Sequence, residues 1–296
     1  MPARATPDQR YLEQRPERAL AGIIASVWTQ TVAPDAEPYV QRSIPHGGIE
    51  LVCELGSAPR IVGPLTGPRV EVLAPGTELV GVRFRPGSAG SLCRMPASEL
   101  VDVVVRADEI LGREAAELAD RVACAASPAT VLQRFVATRV ADAERPDPVV
   151  TETVRRLHQG AALSSLRSAL HLSERQLRRR CHASVGLSPK VLHRVLRFQY
   201  FLALAQRIFA EGPPDASVAS VARLANDAGY AEQAHLSREC RRLTGQTPRT
   251  LIDEMMQRCT DHDHAASFEP LTAGHHTEDR RFCPWDSKIP APSPNR

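Results

Sequence analysis

The sequence predicts an α+β chain: a small β-rich N-terminal domain with packed helices, followed by an all-α half built on a repeated two-helix unit. Three observations predict it. Residues 163–256 write one helical pattern twice, and the positive charge of the chain sits on that repeat. The first 100 residues instead show short β-prone runs cut by Gly/Pro pairs.

In the front part, Ile49–Leu55, Ile61–Val62, Arg69–Leu73 and Leu79–Arg85 read as strands, punctuated by Gly63-Pro64, Gly67-Pro68 and Pro75-Gly76. Their spacing suggests a small antiparallel sheet or a partial barrel. Val80, Val82 and Phe84 alternate with Gly81, Arg83 and Arg85, so both arginines share the face opposite the apolar one. Arg83 and Arg85 are the candidate effector-binding residues, suited to an anion. The residues alone leave a second reading open, in which that face is simply wet. His46, Gly48 and Glu50 would share another strand face, as ligands do in metal-binding barrels. But His46 is the only histidine before His158, and a catalytic metal usually needs about three protein ligands. No metal site, cofactor or catalytic constellation is therefore expected, and the chain does not read as an enzyme.

From Ala97 to Gly160 the texture is helical. Ala115, Leu118, Val122 and Ala125 keep one face, and Val131, Leu132, Phe135, Val136 and Val140 keep another, with Ser127-Pro128 as the break. The run Asp142–Pro148, with its prolines and charges, reads as a linker. A preparatory helix over Val149–His158 opens the second half. The expected boundaries are 1–141, 142–148 (linker), 149–256, and a disordered tail over 257–296.

In the repeat, Leu177, Arg179, Cys181, Gly186 and Pro189 recur 59 positions later as Leu236, Arg238, Cys240, Gly245 and Pro248. Upstream, Leu163, Leu166 and Leu170 align with Val221, Leu224 and Ala228, so the second copy has one extra residue in its turn. Ser173 is an N-cap followed by Glu174 where the helix dipole favours an acid. Leu177 and Cys181 then point to a core, while Arg175, Arg178, Arg179 and His182 form one outer stripe. Arginine on such a stripe can fork to a guanine edge or hold phosphate. In the second copy, Ser217 caps a helix holding Val218, Val221 and Leu224, and Gly229 marks the turn. There Leu236, Cys240 and Leu243 are the buried row, and Gln233, Ser237 and Arg241 line up outward with Ala234 and Arg238 beside them. Glutamine can read adenine, and Arg238 suits a phosphate. His235 reads as a packing or capping histidine. Two helices joined by a turn, the second with a basic and polar outer face, are a helix-turn-helix.

Between the copies, Ser188-Pro189 opens a helix carrying Leu192, Val195, Leu196, Gln199, Leu202, Ala205 and Ile208 at helical spacing. Some 21 residues at ~1.5 Å rise make a strut of about 31 Å. One turn of B-DNA spans about 34–36 Å, so the strut matches the separation of successive major grooves on one face. Pro213 and Pro214 end it.

At this point the chain resembles the AraC/XylS family of bacterial transcription regulators. The resemblance rests on Ser173-Glu-Arg-Gln-Leu-Arg-Arg-Arg-Cys181, Gly186-Leu-Ser-Pro189, Arg197, and Gly229-Tyr-Ala-Glu-Gln-Ala-His-Leu-Ser-Arg-Glu-Cys240 with Gly245-Gln-Thr-Pro248. The chain departs from the family at Cys181 and Cys240, where phenylalanine is usual, and at His171, where glycine is usual. The stretches Pro45-His-Gly-Gly-Ile-Glu50 and Gly81-Val-Arg-Phe-Arg-Pro-Gly87 are similar to an uncharacterised domain found ahead of some such regulators. The resemblance implies a sensor-like front domain, a small-molecule effector, a homodimer and contact with RNA polymerase.

Composition agrees. Residues 1–150 carry 16 Lys+Arg against 19 Asp+Glu, net −3, whereas residues 151–257 carry 16 against 9, net +7. Phosphate neutralisation asks for that asymmetry. Seven cysteines, odd in number and scattered, argue against a disulfide framework and for a reducing cytoplasm; the resemblance implies association with the bacterial nucleoid there. No run approaches the roughly 18 apolar residues of a membrane span, and no signal pattern opens the chain. Cys259, His262, His264, His275, His276 and Cys283 in the tail match no zinc-finger spacing. The expected fold is thus α+β, a β-rich domain ahead of an all-α double helix-turn-helix DNA-binding domain. The expected function is sequence-specific binding of double-stranded DNA in transcription regulation; a nucleoid-type protein with little sequence preference is the alternative.

Overall fold

The computed structural model describes residues 8–141, 143, 145–210, 218–258 and 262–263. The front half is built on a seven-stranded sheet. Its strands are β1 (Gln9–Gln14), β2 (Ile24–Val32), β4 (Glu50–Glu54), β5 (Arg60–Val62), β7 (Glu78–Phe84), β8 (Val104–Arg106) and β9 (His262–Asp263), in the order β8-β5-β4-β7-β2-β1-β9. Every pairing is antiparallel except β1 with β9. Strands β3 (Tyr39–Ser43) and β6 (Arg69–Leu73) form a separate antiparallel ribbon. The four predicted strands are therefore β4 to β7, and β1, β2, β3, β8 and β9 are additions, β9 lying in the tail expected to be disordered and held there by pairing with β1. β8 also interrupts the stretch that reads as helical from Ala97.

One face of the sheet packs on helices α1 (Gly90–Cys93), α2 (Asp108–Leu111), α3 (Arg113–Ala123) and α4 (Pro128–Ala141). Val80, Val82 and Phe84 of β7 enter this core with Leu118 and Val122 of α3 and Leu132 and Val136 of α4. These are the apolar faces that strand and helix periodicity predict. The opposite face is not wet. Trp28, Val52, Leu79 and Tyr11 are buried there with Leu73 of the ribbon. Gly81 is what makes room. A Cβ on it would lie 2.3 Å from the Trp28 indole ring, so the ring rests on bare backbone and stacks on Tyr11 at 5.9 Å.

The helical half comprises α5 (Pro148–His158), α6 (Leu163–Leu170), α7 (Glu174–Val185), α8 (Pro189–Ala210), α9 (Val218–Asp227), α10 (Gln233–Thr244) and α11 (Pro248–Arg258). It holds two cores. Leu166, Leu177, Cys181 and Val185 make the first with α5, and Leu224, Leu236, Cys240 and Leu243 make the second with α11. α8 supplies both: Leu192 and Leu196 go to the first, Val195, Phe198, Phe201, Leu202 and Ala205 to the second. The predicted cap Ser217 lies outside the described residues, as does most of the expected tail.

The two halves touch closely. Gly186, at φ 82° after α7, comes so near the front domain that a Cβ on it would meet the Ala97 carbonyl oxygen at 2.7 Å. Gln199 of α8 donates to the Pro45 carbonyl at 2.6 Å, and Arg42 pairs with Glu254 of α11 at 3.1 Å.

Gly81→Ala is expected to destabilise the chain by about 1–3 kcal/mol, because the added methyl must displace a buried ring. Chemical denaturation followed by tryptophan fluorescence checks this; an unchanged midpoint would mean the indole does not rest on that glycine.

Candidate nucleic-acid interface

The first two-helix unit is set by local chemistry. α6 ends on His171, which takes the left-handed conformation at φ 52°. Glycine is favoured at such a cap, and a histidine there costs about 1 kcal/mol. Ser173 then accepts from the Gln176 N–H while the Gln176 side chain reaches back to the Ser173 N–H, a complete capping box that fixes where α7 begins. Leu177 and Cys181 face inward at 3% and 0% exposure. Arg175, Arg178 and Arg179 are exposed, and His182 is half-buried one turn after Arg178. The outer stripe read from the sequence is thus one continuous surface.

Arg180 stands apart from it. Its guanidinium meets Asp147 at 2.7 Å, and Asp147 also caps α5 by accepting from the Val149 N–H at 2.9 Å. The residue before α5 is therefore tied to α7, a link that no periodicity could reveal.

In the second unit the turn closes through the Tyr230 N–H on the Ala225 carbonyl at 2.9 Å. α10 then exposes Gln233, Ala234, Arg238 and Arg241, with Ser237 half-buried between them, while Leu236, Cys240 and Leu243 are fully buried. His235 packs edge-on against Tyr230 at 5.3 Å and lies 3.3 Å from Arg197, whose guanidinium covers the Tyr230 ring at 4.4 Å. Arg194 of α8 pairs with Glu239 of α10 at 2.9 Å. These contacts clamp α10 onto the strut. At 22 residues, α8 is about 33 Å long.

The structure does not bring Arg83 and Arg85 together as one anion site. Arg85 donates to the Ala21 carbonyl at 2.7 Å. Arg83 meets Glu50 at 2.7 Å and Glu13 at 3.0 Å, so its charge is matched within the fold. It belongs to the wall of a cavity of about 220 Å³, walled by front-domain residues including Tyr11, Trp28 and Gln30 and by Gln199, Leu202 and Leu251 of the helical half. Sequence reasoning missed this cavity, since its residues come from nine separated elements, β1 to β7, α8 and α11.

His46 also lines it. Its Nδ1 accepts from the Gly48 N–H at 3.2 Å and its Nε2 lies 3.3 Å from Glu50. That makes it the neutral tautomer with the proton on Nε2, and burial holds its pKa below the ordinary 6.5. Burial opposes ionisation of Glu50, but Arg83 and His46 outweigh it and hold the carboxyl at about 2. Among the described residues, no group of three or more His, Cys, Asp or Glu side chains is placed to hold a metal ion. None of their helices is long and apolar enough to cross a membrane.

With this geometry in place, the class is defined: a helix-turn-helix, DNA-binding transcription regulator. Residues 166–254 match a family described as "Helix-turn-helix domain", and residues 12–106 match "Domain of unknown function (DUF6597)". Residues 166–254 are thus an AraC-type helix-turn-helix domain, with that uncharacterised domain in front. Among solved structures it is similar to ToxT from Vibrio cholerae O395, at 11% identity over 83% of this chain and 96% of that one, with TM-score 0.39. A further ToxT structure from Vibrio cholerae gives 11% identity over 73% and 97%, with TM-score 0.41. ToxT bound to (E)-4-(8-methylnaphthalen-1-yl)but-3-enoic acid gives 10% identity over 83% and 97%, with TM-score 0.41. No curated protein matches the chain.

Two outcomes are expected. Burial pushes the Cys181 and Cys240 thiols up to about 12 and about 11. A thiol reagent should therefore label exposed Cys124 quickly and these two only on unfolding, read by mass spectrometry of native protein. Rapid labelling of either would place it outside the core. The second outcome concerns acid. The folded pKa of Glu50 lies below its unfolded 4.5, so its contribution is present above about 4.5 and lost as pH falls toward about 2. His46, held neutral, adds a loss of the same sign below its unfolded 6.5. Stability should fall from about pH 6.5 downward, and Glu50→Gln should flatten the lower part of that curve. A Glu50→Gln curve parallel to the parent's would show that the carboxylate does not carry it.

Proposed function

We propose that the protein is a sequence-specific transcriptional regulator whose two helix-turn-helix units read successive major grooves of one duplex, in answer to a small molecule bound by the front domain. The observation that carries this is the pair α7 and α10. Each is held by a buried Leu–Cys row, each exposes a basic or polar row, and both are packed on one helix about 33 Å long. That length is close to the roughly 34–36 Å between successive turns of groove.

The division of labour follows from donor geometry. Arg175 and Arg178 are assigned to base edges, favouring guanine, and Gln233 with Ser237 to an A-rich half. Arg179, Arg238 and Arg241 are assigned to phosphates, and His182 and Ala234 flank the groove contacts. The polar Gln233–Ser237 row supports selective reading over indiscriminate binding, which needs charge alone.

The test is selection of bound duplexes from a random pool. A recovered motif is expected; recovery of none makes the protein a binder of little sequence preference. At the selected site, Arg175→Ala and Arg178→Ala should each cost about 1–3 kcal/mol, measured against random duplex. Arg179→Ala and Arg238→Ala should weaken both DNAs about equally. If Arg175→Ala leaves both affinities intact, α7 does not present that face to DNA.

A further inference from the structure

The cavity between the halves carries unspent hydrogen-bonding capacity, and its chemistry is specific. Trp28 and Gln30 lie two residues apart on β2 and so share a face of the sheet. Both line the cavity, at 6% and 1% exposure. Gln30 Nε2 donates to Gln41 at 2.8 Å, but Gln30 Oε1 accepts nothing, and the Trp28 indole N–H donates to nothing among the described residues. A buried donor and a buried acceptor left open beside a cavity are a cost to the empty fold that a matching ligand removes.

The charges around them are already matched. Arg83 faces Glu50 and Glu13, Arg60 and Arg69 share Glu71 at 2.6 and 2.7 Å, and Arg42 faces Glu254. Four arginines thus stand against four carboxylates, so the wall carries no net charge, and an ion entering it would lose its water for no net attraction. The stacked Tyr11 and Trp28 rings instead line the wall with apolar ring edges.

We infer that this cavity binds an uncharged small molecule whose edge carries an amide-like acceptor and donor, the acceptor taking the Trp28 N–H and the donor reaching Gln30 Oε1. The far wall is Gln199 and Leu202 of α8 and Leu251 of α11. The bound molecule therefore touches the strut that spaces the two reading helices, and occupancy ties the front domain to it. Only this last consequence rests on the effector-responsive reading above; binding itself is independent of it.

The full-length protein is titrated by ligand-observed NMR with benzamide, benzoate and benzamidine, which share one shape and carry charges of zero, minus one and plus one. Benzamide alone should bind. Trp28→Phe and Gln30→Leu, each checked for native circular dichroism, should weaken it about tenfold, the worth of a lost buried hydrogen bond. Equal or tighter binding of benzoate or benzamidine overturns the inference, as does binding of none of the three to the parent protein. If neither substitution folds, the selectivity of the parent protein decides alone. DNA affinity is then measured with and without benzamide. Selective binding that leaves DNA affinity unchanged upholds the site and counts against the effector-responsive reading.

Discussion

The structure depends on α8 having apolar residues on two sides at once. Leu192 and Leu196 close the core under α7, while Phe198, Phe201, Leu202 and Ala205 close the core under α10. A helix that served one unit only would leave the other's apolar rows covered by α5 or α11 alone, and helices of 8 to 12 residues do not hold themselves in water. Because both cores grip the same rod, the separation of α7 and α10 is set by the length of that rod. The Arg194–Glu239 pair and the Arg197–Tyr230–His235 stack add rotational restraint at the second unit.

The front domain grips the same rod from the other side. Gln199 reaches Pro45, Gly186 meets Ala97, and Arg42 meets Glu254, which also accepts from Gln246 just after α10. Contacts of this kind reach α7, α8 and α11 together. A change at the front domain is thus mechanically connected to both reading helices without any long path, through elements that are already packed against each other.

Much of this was legible in the sequence, for identifiable reasons. β4 to β7 are bracketed by Gly/Pro pairs, and the repeat declares itself through five residues at one fixed offset. β2 was not legible because two of its buried positions are Ser26 and Gln30, so its polar residues lie inside rather than out, and alternation fails as a guide. β8 is three residues long amid helices, too short to carry a period. The face of Arg83 reads as wet because sequence cannot say that a ribbon and α8 will cover it. The cavity is the extreme case. Its walls are brought together from residues as far apart as Tyr11 and Glu254, and no local pattern records that.

The central claim is a fixed spacing between two readers, and DNA with its halves moved apart tests it most directly. Inserting about five base pairs between the halves of a selected site turns one half to the far side of the duplex, which a rigid strut cannot follow. Affinity should fall to that of a site holding one half alone, and footprinting should show a single protected window. Unchanged affinity with both windows still protected would contradict the account, because the two units would then move independently of α8.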